Sequence, residues 1–211
     1  MLLSVTGASG VGKSTALGAL RKVDFGRPMI CVEFDSIGVP EGADTAWRHD
    51  AIERWVQFAL AAQDEGSDVM LFGQAPPGEL LAAPSADQLD GIAICVLHAS
   101  PTSQEARLLG RGEPADSLVH HLRFGTWFHE HARNPQHAPE VIRVETPTPM
   151  AWDRWMTLTP DDSDWVTRWP VTVIATDDLT AEQVAAEVEE WARGVQNGQG
   201  PGIRLRGKPK K

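Results

Sequence analysis

Only two of the 211 residues are cysteine, basic residues are outnumbered 19 to 29 by acidic ones, and no apolar run approaches the roughly 20 residues of a membrane span. Each shortage closes off a class of protein. Cys31 and Cys95 lie inside apolar runs of strand character, where a free thiol behaves as a small buried hydrophobe, so the pattern is not that of a disulfide framework and suits a reducing compartment. The apolar start covers only residues 2–5 with no basic segment before it, so neither a signal peptide nor a membrane association is expected, and the cytoplasm is the expected location. The net charge is −10, and Arg204, Arg206, Lys208, Lys210 and Lys211 stand in residues 194–211 without any acid, which leaves the preceding body more negative still. Such a field disfavours long polyanions, so nucleic acid is not an expected partner.

What the sequence does have is Gly7-Ala8-Ser9-Gly10-Val11-Gly12-Lys13-Ser14, which meets every fixed position of the pattern G-x-x-x-x-G-K-S/T. Its flanks are of the right kind: residues 2–6 read as a short apolar strand, and residues 14–20 continue as a helix through Thr15. Glycines at 7, 10 and 12 let the backbone approach an anion closely with consecutive N–H groups turned inward, and the helix N-terminus adds its partial positive charge. A nucleoside triphosphate is therefore the ligand to expect. Lys13 would reach its β- and γ-phosphates, and the Ser14 hydroxyl would ligate Mg²⁺.

Further along, residues 29–34 read as a second strand ending at Asp35. Trp47, Ala51, Trp55, Phe58, Ala59 and Ala62 make residues 47–63 an amphipathic helix. Residues 68–72 and 91–97 are strands of the continuous apolar kind found in buried parallel sheets, with a Pro-marked loop between them. Helices are expected over residues 102–111, stopped by Gly112, and over residues 116–132. Residues 134–170, with six prolines and four tryptophans, break the pattern and read as an insertion of irregular structure or short helices. A fifth strand at residues 171–175 precedes a helix over residues 180–193, introduced by the Thr180 and Gln183 capping box. Residues 194–211 read as a disordered basic tail, solubilising or a weak anionic tether. Alternating strands and helices imply an α/β fold with a parallel sheet covered on both faces.

Asp35 would emerge at the C-terminal edge of the sheet, where ligands bind in open α/β folds. It could orient an acceptor hydroxyl and take its proton, or hold a Mg²⁺-bound water. Its weak basicity is no obstacle, because phosphoryl transfer depends mostly on positioning and charge stabilisation. Alternatively it is a turn former beside Ser36. The third strand ends in Gly73-Gln74 where a motor-type ATPase would carry an acid. Gln74 offers an amide to an acceptor group or a metal-bound water. Arg107 and Arg111 share a helix face, a repulsive spacing unless an anion lies between them. His129 and His131 are two apart and cannot converge on a metal from one helix face, and the other histidines have no cysteine partners. Trp152, Trp155, Trp165 and Trp169 are either packing or the wall of an acceptor pocket.

Taken together, the Gly7 to Ser14 loop, Asp35, the Arg107 and Arg111 pair and the closing strand and helix resemble the small P-loop kinases. The nearest likeness is to the shikimate kinase, gluconate kinase and chloramphenicol phosphotransferase type. Phe34-Asp35-Ser36-Ile37 looks like the place where the last of these carry their catalytic aspartate. The resemblance implies a P-loop three-layer sandwich of residues 1–193, with five parallel strands and a lid. It implies an ATP- and Mg²⁺-dependent kinase acting on a small neutral or cationic hydroxyl acceptor. In that reading Asp35 and Ser14 serve the metal, Arg107 or Arg111 serves the transferring group from the lid, and Thr176 and Asp178 contact the base. Two alternatives stay open. One is a nucleotide kinase, for which Arg48 and Arg54 are the only acceptor-side arginines, and the other is a nucleotide-binding regulatory protein with little catalysis.

Overall fold

The computed structural model describes residues 1–156 and 168–199. Five strands, β1 (Leu2–Thr6), β2 (Met29–Glu33), β3 (Asp68–Gly73), β4 (Ile92–His98) and β5 (Val171–Ala175), form one parallel sheet in the order β2-β3-β1-β4-β5. Strand residues alternate between two cores. Leu2, Leu71, Ile94 and Val96 face one, while Leu3, Val5, Phe72 and Cys95 face the other. Burial on both sides is why these strands read as unbroken apolar runs.

One face is covered by α1 (Lys13–Leu20) and α7 (Ala181–Gln196), the other by α2 (Thr45–Asp64), α3 (Pro77–Ala82) and α5 (Ala115–Arg133). Helix α4 (Pro101–Leu109) packs on α5, and the short α6 (Asp153–Met156) packs on α3. Asp44 caps α2 by accepting from Trp47 N–H, and the Thr180 and Gln183 box caps α7, both as their residue types dictate. Helix α7 continues to Gln196, past the expected stop at 193, and residues 200–211 of the expected tail lie outside the described residues. No described helix is long and apolar enough to cross a membrane.

One stretch differs from the sequence reading. Residues 77–82, taken as loop, form α3, in which Pro77 occupies the first helical position, where a missing N–H costs nothing. Within the irregular stretch, Trp152, Trp155 and Trp169 serve as packing. Trp155 and Trp169 are buried, and their indole N–H groups donate to Gly78 O and Ala132 O, both at 2.8 Å. Trp165 lies outside the described residues.

The site follows from the connections. Neighbouring strands β1 and β3 lead into helices on opposite faces, α1 and α3, which opens a crevice between their C-terminal ends.

Candidate active site

A cavity of about 400 Å³ occupies that crevice. Ser9, Gly10, Gly12, Lys13, Ser14 and Thr15 form one wall, Glu33 and Asp35 come from the end of β2, and Phe72, Gly73 and Gln74 come from the end of β3. Arg111, in the turn between α4 and α5, completes it. Ala8 and Val11 turn their side chains into the core, so these two loop positions offer the site backbone only.

The loop's shape is set by close packing. Gly7 has φ +139°, and a Cβ there would lie 2.3 Å from Leu97 O. Gly12, at φ +103°, leads into α1, whose first N–H groups have no intrahelical partner. Thr6 Oγ1 donates to Ala75 O at 2.8 Å and accepts from Ala75 N–H at 3.0 Å, joining the end of β1 to the segment after β3 and fixing the backbone beside Gln74.

Lys13 Nζ donates to two carbonyls of its own loop, Gly7 O at 2.8 Å and Ala8 O at 2.7 Å. Desolvation, helped by the nearby Arg111 guanidinium, lowers its pKa to about 8 against the pull of Asp35 and Glu33. Two cations and two carboxylates therefore share one small space. Arg111 opposes the Lys13 charge more strongly than either carboxylate supports it.

Asp35 sits exposed in a 3-10 turn, Phe34–Ile37, directly after β2. Glu33 joins it at the cavity, a residue the sequence reading passed over as part of a strand. Its signal was a carboxylate closing an otherwise apolar run.

Three expected site residues are used elsewhere. Arg107 does not line the cavity. Its guanidinium donates to Thr176 Oγ1 at 2.8 Å and to Thr176 O at 2.6 Å, because the loop after β5 supplies acceptors directly opposite α4. Thr176 is itself fully buried by this contact and by His98 O, 3.0 Å from its hydroxyl, so it is not open to a base. Arg48 is spent on Glu79, with Nε to Oε2 at 2.7 Å and Nη2 to Oε1 at 2.6 Å. Glu79 is completely buried and also lies 3.3 Å from the buried His49. A buried carboxylate needs such a partner, and Arg48 donates to both of its oxygens. Asp178 is not among the cavity residues, and its neighbour Asp177 acts as a loop cap, accepting from Ser100 N–H with its pKa held down to about 2 by Ser100 and Ser103.

The histidines stay apart from this chemistry. His131 is buried among Trp127, Trp155 and Trp169, and desolvation lowers its pKa to about 3. His98 and His129 stack at 3.7 Å. Among the described residues no group of three or more His, Cys, Asp or Glu side chains is arranged to hold a metal ion.

No protein-family model matches this sequence, and no curated protein matches it either. Solved structures do resemble it. The crystal structure of APE1195 superposes with a TM-score of 0.55 at 14% identity, over 92% of this chain and 96% of that one. A sugar kinase from Janibacter sp. HTCC2649 superposes at 0.54 and 15% identity, over 90% and 93%. At such identity the likeness is one of fold. The α/β architecture with its five-stranded parallel sheet is shared with a sugar kinase along nearly the whole of both chains.

Proposed function

We propose that the protein is an ATP- and Mg²⁺-dependent small-molecule kinase of the P-loop type, transferring a γ-phosphoryl group to an acceptor hydroxyl. The observation that carries this reading is that Lys13, Ser14 and Arg111 meet Asp35 and Gln74 around one cavity. The glycine loop and Lys13 would bind the triphosphate, and Arg111 would neutralise charge on the moving group. The acceptor oxygen forms its bond to the γ-phosphorus as the bridge to the β-phosphate breaks, ADP leaves, and the hydroxyl proton passes to the Asp35 carboxylate. The Ser14 hydroxyl and the Asp35 carboxylate are hard oxygen donors facing the same space and suit Mg²⁺, which when bound would offset phosphate charge.

The acceptor side supports a neutral or cationic alcohol. Arg48, the arginine expected on that side, is already paired with Glu79, while Glu33 and Asp35 add negative charge to the cavity, so a phosphorylated acceptor of the nucleotide-kinase kind would meet no free guanidinium from Arg48. Ending β3 in Gly73-Gln74 favours a second reading, a protein that binds ATP without turning it over. Screening hydroxyl metabolites and antibiotics, with phosphate transfer followed by mass spectrometry, separates the two. Acceptor-dependent ADP release that is lost in Lys13→Ala and Asp35→Asn supports the kinase. Full turnover in Asp35→Asn overturns the role given to Asp35, and tight ATP binding with no transfer supports the second reading.

A further inference from the structure

We propose that Gln104, Arg107 and Thr176 form an outer clamp that shapes the glycine loop to receive a triphosphate, an inference that rests on the nucleotide-binding reading above. Gln104 Nε2 donates to Ser9 O at 2.8 Å, Arg107 Nη1 to Gly10 O at 3.5 Å, and Thr176 Oγ1 lies 3.3 Å from Val11 O. Carbonyls of three consecutive residues are thus approached from one side, by α4 and the loop after β5, with the single Thr176 hydroxyl proton shared between Val11 O and the nearer His98 O at 3.0 Å.

The consequence follows from peptide geometry. Across a trans peptide the C=O of one residue and the N–H of the next point in opposite directions, and the described chain has no cis peptide bond. Drawing the Ser9, Gly10 and Val11 carbonyls outward turns the N–H groups of Gly10, Val11 and Gly12 the other way. Gly10 and Gly12 line the cavity. A run of N–H groups on one side is the arrangement that binds an anion.

The clamp is anchored on its far side. Gln104 is 2% exposed and also donates to His121 O at 3.3 Å. Gly125 of α5 makes its room, since a Cβ there would come within 2.4 Å of Gln104 Oε1. Arg107 is held by its two bonds to Thr176, whose own N–H donates to His98 O at 2.8 Å. None of the three side chains lines the cavity, so they are positioning residues that act through the loop backbone.

The test measures affinity of the full chain for MgATP and for Mg²⁺ with inorganic tripolyphosphate, which has no base or ribose. Gln104→Met keeps the length and loses the donor. Thr176→Val loses the hydroxyl that Thr176→Ser retains. Gln104→Met and Thr176→Val are expected to weaken both ligands by a similar factor of about ten, with Thr176→Ser near the wild type. If Gln104→Met does not fold, the Thr176 pair decides. Loss of MgATP affinity with tripolyphosphate unchanged overturns the clamp in favour of a contact to the base. Unchanged affinity for both ligands overturns it outright. A wild-type protein that binds neither ligand overturns the nucleotide reading itself.

Discussion

Gly73 and Phe34 share a space that has room for only one side chain: a Cβ on Gly73 would lie 2.1 Å from Phe34 Cβ. The bare end of β3 lets the turn carrying Asp35 close against it. Gly73→Ala is therefore expected to cost about 3 kcal/mol through overpacking, read by urea unfolding. Gly73→Asp, which supplies the acid of motor ATPases, is expected to destabilise further and to create no ATP hydrolysis.

Arg48 and Glu79 give a second expectation. Removing the arginine strands a fully buried carboxylate, so Arg48→Met should cost about 3–5 kcal/mol. Adding Glu79→Leu should recover most of that loss. A double-mutant cycle by chemical denaturation checks both, and additive losses would show that the pair is not coupled.

The lowered pKa of Lys13 sets a pH limit on ligand binding. In the free protein the ammonium gives up its proton as pH rises through about 8. Triphosphate affinity should fall above that point. Binding an anion favours the charged form, so the protein should take up a proton on binding just above pH 8. Calorimetry in buffers of different ionisation enthalpy measures that uptake, and Lys13→Ala should abolish it along with binding.

His131 shapes acid stability instead. Its folded pKa of about 3 lies below the ordinary histidine value of 6.5, so between these values the unfolded chain binds the extra proton. Stability should rise with pH across that window, because the charged form is penalised only in the folded state. His131→Phe should flatten this slope in urea titrations, and an unchanged slope would place its origin elsewhere.

Local signals in the sequence marked much of this molecule. The five strands stood out as apolar runs because both their faces are buried, and the long α2 helix as a periodic stretch because burial of one face imposes a repeat. Cavity residues that follow a local pattern, the glycine loop and the strand-end Asp35, could be read for the same reason. What could not be read depends on pairing across distance. Arg48 looked free because Glu79 stands 31 residues away in a segment taken as loop, although a single acid among Leu80, Leu81 and Ala82 was a hint of a buried partner. Arg107 and Arg111 looked equivalent by spacing. Only the position of Thr176, 69 residues on, separates the one that braces the loop from the one that reaches the cavity.

The paired hydrogen bonds between Thr6 and Ala75 weld the ends of β1 and β3 into a single floor. Because that floor is already ordered, an arriving ligand does not have to freeze two chain ends, and more of its contact energy survives as affinity. Discrimination between acceptors is left to the rim, where Asp35 rides on an exposed turn and Arg111 on the link between two helices. Variants with altered acceptor preference should accordingly collect at those two places, while the floor tolerates little change.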